Sequence, residues 1–134
     1  MSKDLKELIK YWHDSSKHDY ETMIGLFRIK RYADTLFYGH IILEKILKSL
    51  SVKQNKKQAK FTHNLVTLAQ DAKINCSKEQ MELLAEINRF NIRARYPDIK
   101  LSFYKLCNKK FAEDYLHIIK KLYKDLCLKL EEKK

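Results

Sequence analysis

Tyr32-Ala33-Asp34-Thr35-Leu36-Phe37-Tyr38-Gly39-His40-Ile41-Ile42-Leu43-Glu44-Lys45-Ile46-Leu47-Lys48-Ser49-Leu50 carries apolar residues along two lines. Leu36, His40, Leu43, Leu47 and Leu50 follow at three- and four-residue steps, and Tyr38, Ile42 and Ile46 make a second stripe. A surface helix needs one apolar stripe, so a helix with two is covered on two sides. The stretch predicts the central helix of an all-helical bundle, or a helix at a dimer contact, and the remaining chain has to supply its neighbours.

It does so with further helical patterns. Leu5, Ile9, Trp12, Ser16, Tyr20, Met23 and Phe27 mark an amphipathic helix before it, begun by Ser2 or Asp4 and ended near Lys30 and Arg31. After it, residues 51–60 show no buried pattern and read as a mobile basic loop. Thr62 caps a short helix with Leu65, Val66, Leu68 and Ala69. Ser77 with Gln80 forms a capping box for a fourth helix through Met81, Leu84, Ile87 and Asn91, which ends at Pro97. A last helix from about Asn108 runs through Phe111, Tyr115, Ile118, Leu122 and Leu126 into a charged tail at 131–134. The expectation is one all-α domain over 1–134, an up-and-down bundle of four main helices plus a short one. Two glycines and one proline are too few breakers for a sheet-rich fold of 134 residues.

The formal net charge of +11 favours polyanions. It concentrates in two zones, residues 45–60 with six lysines and no acid, and residues 89–110 with Arg89, Arg93, Arg95 and four lysines against Asp98 alone. Cys76, Cys107 and Cys127 are odd in number and widely spaced, which indicates neither a disulfide framework nor a zinc cluster. Met1 to Glu7 lacks the apolar core of a signal peptide, and no run reaches the ~20 apolar residues of a membrane span. A cytoplasmic protein without membrane contact is expected.

The richest chemistry lies in Arg89-Phe90-Asn91-Ile92-Arg93-Ala94-Arg95-Tyr96-Pro97-Asp98. Arg89 and Arg93 stand one helical turn apart, Arg95 lies on a neighbouring face, and Tyr96 enters the turn before the proline. Guanidinium forks beside a phenol suit phosphate and base, so the tip of the fourth helix is expected to turn these groups outward to an anion, with Asp98 holding an arginine in place.

Three blocks extend this reading. Arg31 to Lys48 resembles the pattern RY-x-x-A-x-F-x-x-(H/Q)-x-x-x-EK-x-LK of HEPN domains, Thr62-His63-Asn64-Leu65 resembles their T-H-(D/N)-L, and Ala94 to Asp98 matches their ARYPD. Leu36 and Gly39 stand where relatives more often have small residues such as alanine. The resemblance implies a helical bundle that usually forms a homodimer, a history of nucleotide or RNA engagement, and membership in a toxin-antitoxin-like module with a minimal nucleotidyltransferase. Many such domains are metal-independent ribonucleases with an R-x4-6-H motif, often R-x4-H-x-Y. Aligning Tyr96 places Arg89 on the arginine and Ala94 on the histidine. A methyl group moves no proton, and acid-base assistance is worth ~10²- to 10⁴-fold, so the usual nuclease activity is expected to be reduced or absent.

Candidate nucleotide- or RNA-binding residues are therefore Arg89, Arg93, Arg95, Tyr96, Asp98, Lys45 and His63, with His40 and Glu44 as catalytic candidates. His40 and Glu44 lie one turn apart, where a carboxylate can orient an imidazole; a buried pair fixing the bundle is the alternative, and Arg95 meeting Glu44 across the bundle would explain both residues without chemistry. In the HEPN family Tyr96 corresponds to a tyrosine that can accept nucleotidyl groups. His13, Asp14 and His18 splay apart on one helix, and neither a metal nor a cofactor is expected. The rivals to phosphate binding are an endoribonuclease that recruits His40 or His63, and a structural adaptor whose arginines make only internal salt bridges.

Overall fold

The computed structural model describes residues 1–94 and 96–132, and for Ala94 the backbone alone. Arg95, the Ala94 side chain at the family's histidine position and the last two residues of the tail lie outside this description. The described residues form six α-helices: α1 (Lys3–Arg28), α2 (Tyr32–Asn55), α3 (Leu65–Asp71), α4 (Lys78–Ile87), α5 (Pro97–Leu106) and α6 (Lys109–Glu131). The all-α bundle is as expected.

Side-chain caps begin α1, α4 and α6. The Ser2 side chain accepts from Leu5 N–H, Ser77 and Gln80 form the complete capping box, and Asn108 accepts from Phe111 N–H. Lys30, at φ 64°, turns the chain from α1 into α2. Helix α2 takes the centre, packing on α1, α3 and α6 and on the 3₁₀ turns after α4. Both of its stripes are buried: Leu36, Leu43 and Leu47 on one, Ile42 and Ile46 on the other, all without solvent exposure. Truncating any of them to alanine costs ~2–5 kcal/mol. Gly39 lets α6 approach closely, since a Cβ there would stand 2.5 Å from Ile119 Cδ1.

Three expectations need correction. Residues 51–55 continue α2 rather than opening a loop, because Val52 is fully buried and polar partners serve the rest: Ser51 Oγ donates to Asp71 Oδ2 at 2.5 Å and Asn55 Nδ2 to the Asp71 carbonyl at 2.9 Å. Asn64, not Thr62, caps α3, and Thr62 Oγ1 instead accepts from the Asn64 amide. Pro97 does not end the fourth helix. Helix α4 stops at Ile87, two 3₁₀ turns follow at Asn88–Phe90 and Ile92–Ala94, and Pro97 begins α5. Proline suits a first helical position because its missing N–H has no partner to lose there.

Candidate functional site

The 3₁₀ pitch decides where the arginines go. A regular helix would keep Arg89 and Arg93 on one face; the tighter turns separate them. Arg89 turns to the α6 side: its Nη2 lies 2.6 Å from Glu86 Oε1 and its guanidinium stands over the rings of Phe90 and Phe111. Arg93 turns to α2: its Nη2 donates to Glu44 Oε1 at 2.9 Å, its Nε to Asn91 Oδ1 at 3.0 Å, and its guanidinium lies over Phe37. Both side chains keep about two fifths exposure, 42% and 40%. Neither is an unpaired guanidinium turned outward.

Glu44 is the hub. Its side chain is only 7% exposed, and Lys48, whose side chain is 8% exposed, places Nζ 3.2 Å from the other carboxylate oxygen. His63 Nδ1 stands 3.0 Å from Glu44 Oε1, and His40 Nδ1 stands 3.7 Å from it. Burial pushes the Glu44 carboxyl up, and Lys48, His40, Arg93 and His63 together outweigh it, so its pKa falls below the usual value. Glu44 is ionised at neutral pH.

His40 is enclosed. Its Nε2 bonds the His63 carbonyl at 2.9 Å, and since a carbonyl only accepts, Nε2 carries the proton and Nδ1 is bare. That nitrogen is buried without a hydrogen-bond partner among the described residues. Burial above all lowers the imidazole pKa to about 4, so His40 is neutral at pH 7. Its work is to hold the extended segment before α3, while the expected orientation by Glu44 is a contact too long to be a hydrogen bond.

His63 is half exposed, at 50%. Its Nδ1 lies 3.0 Å from Glu44 Oε1 and 3.2 Å from Arg93 Nη2. A carboxylate only accepts, so Nδ1 carries a proton. Asn64 fixes the segment from the other side: its Oδ1 accepts from Val66 N–H, Thr67 N–H and Asn88 Nδ2, and Asn88 Oδ1 accepts from Leu65 N–H. The α2 centre, the start of α3 and the 3₁₀ turns thus meet at one polar junction.

The remaining candidates stand apart from it. Lys45 faces α1, where Nζ donates to Ser15 Oγ at 2.7 Å and Asp19 Oδ2 at 2.5 Å. Tyr96 is the N-cap residue of α5 and 75% exposed, and Asp98 is exposed in the first turn of α5, with no ion pair among the described residues. Arg95 is outside the described residues, and Arg93 makes the bridge to Glu44. Lys48, Asn91, Asn64 and Asn88 were not singled out as site residues; only the i,i+4 spacing of Glu44 and Lys48 announces one of them.

The HEPN domain model matches residues 9–131. The chain belongs to the HEPN domain family. Among solved structures, TT1696 from Thermus thermophilus superposes with a TM-score of 0.73 at 19% identity, covering 88% of this chain and 94% of that one, so the two share a fold. No curated protein matches. No helix among the described residues of this HEPN domain is long and apolar enough to cross a membrane.

Proposed function

We propose that this HEPN domain binds nucleotide or RNA phosphate where Arg93 and His63 surface above Glu44, as one component of a module with a nucleotidyltransferase. One observation carries the reading: a single buried carboxylate serves two cations, Lys48 and Arg93. The junction therefore keeps one positive charge in excess. Lys48 is enclosed, so that excess reaches solvent at the half-exposed guanidinium, beside a half-exposed imidazole. Asn91 and Phe37 hold the guanidinium plane, so little side-chain freedom is lost when an anion docks. Electrophoretic mobility of labelled single-stranded RNA at low salt tests this: Arg93→Gln should weaken binding by about tenfold, and unchanged binding sinks the reading.

A ribonuclease reading is favoured by the half-exposed His63 imidazole, whose Nδ1 meets the Glu44 carboxylate and lies 3.2 Å from the Arg93 guanidinium. RNA cleavage lost in His63→Gln but retained in His40→Asn would select it. The adaptor reading is favoured by the intramolecular partners of Arg89 and Arg93. It requires a partner complex insensitive to salt and no RNA binding.

A further inference from the structure

Helices α1 and α6 both lie on α2 and leave a furrow between them. They are joined at one end by Ser16 Oγ and Tyr123 Oη at 2.8 Å and by the stacked rings of Tyr20 and Tyr123, 5.3 Å apart. Two adjoining depressions of about 320 and 570 Å³ share His117 and Lys120 and make one groove. Its floor is apolar, with Ile24, Phe27 and Leu116 in one part and Tyr20, Tyr123 and Cys127 in the other. Along α6 it runs from Glu113 to Cys127, which at ~1.5 Å per residue is about 21 Å, or about four helical turns.

The rim is cationic. Arg28, Lys120, Lys121 and Lys124 line it against Glu113 as the only carboxylate. None of these cations has an ion-pair partner among the described residues. A rim of free cations over an apolar floor one helix long is complementary to a helix with an apolar stripe edged by carboxylates. A second copy of this +11 chain brings mostly like charge to the same rim.

We infer that the groove between α1 and α6 docks an acidic amphipathic helix of a partner protein. The site is separate from the Glu44 junction, so the two readings stand or fall independently.

The probe is a fluorescein-labelled helical peptide of about 16 residues, with leucines on one stripe and glutamates beside it, compared with the same peptide carrying lysines. Anisotropy should show the glutamate peptide binding with a Kd of order tens of micromolar and the lysine peptide not binding. Lys120→Glu with Lys124→Glu, two surface changes whose fold is checked by circular dichroism, should weaken the glutamate peptide at least about tenfold and admit the lysine peptide. Amide resonances of Ile24, His117 and Tyr123 should move on binding. The inference is overturned by equal binding of both peptides, by none at about 100 µM, or by resonance shifts confined to other faces. It is equally overturned if labelled RNA displaces the peptide from the groove, or if sedimentation shows a dimer that the double reversal dissolves.

Discussion

Replacing Glu44 by glutamine keeps the shape of the side chain and removes its charge. Lys48, nearly enclosed and 3.2 Å from Glu44, then has no carboxylate partner among the described residues, and its remaining contact is the face of Trp12 at 5.0 Å. Removing one member of a buried pair typically costs ~3–5 kcal/mol. Arg93 is half exposed and recovers water, so its loss adds at most ~1 kcal/mol, and its contact with Phe37 is kept in both proteins and changes nothing. The expected cost is at least about 3 kcal/mol, a large part of the ~5–15 kcal/mol that holds a domain together. For this chain length that lowers Tm by about 10 °C. Urea unfolding followed by far-ultraviolet circular dichroism measures it, and adding Lys48→Met to Glu44→Gln should restore ~1–2 kcal/mol by removing the stranded charge. A Glu44→Gln protein within ~0.5 kcal/mol of the parent, or no recovery in the double variant, would show that Glu44 does not compensate Lys48.

Acid should destabilise the fold before carboxylates titrate. His40 has a folded pKa of about 4 against an ordinary 6.5, so the unfolded chain binds the extra proton as pH falls through this window; between pH 7 and 5 stability drops by ~2 kcal/mol, and urea midpoints of His40→Asn should lack that part. Glu44, with a lowered pKa, adds stability above its unfolded value that is lost at still lower pH, so the two effects share a sign. Asn64→Ala removes an oxygen that accepts from two α3 amides and from Asn88, and should cost ~1–2 kcal/mol in the same unfolding assay. Burial holds the Cys107 thiol up at about 12, so mass spectrometry after alkylation of the native protein should find Cys107 unmodified until it unfolds.

What the sequence revealed follows from the range of the physics involved. The central place of α2 was readable because its two apolar stripes report two neighbours, and the Ser77 to Gln80 box because both partners lie within one turn. The break between α4 and α5 was not. A proline that stops a helix and one that starts the next look alike, and the apolar Ile99, Leu101, Tyr104 and Leu106 of α5 are exposed, so burial did not shape their spacing. The same break explains the arginines: once the backbone tightens after Ile87, positions 89 and 93 no longer share a face, and Glu44 meets Arg93. Ser51 and Asn55 escaped notice as helix because their partners on Asp71 are long-range and polar, invisible to a count of apolar periods.

The claim that the Glu44 junction offers one spare positive charge at Arg93 is tested most directly by the salt dependence of single-stranded RNA binding. The account predicts that Arg93→Gln weakens binding and flattens the plot of log affinity against log salt by about 0.7, the contribution of one phosphate contact. Superimposable plots for the parent and Arg93→Gln would contradict it.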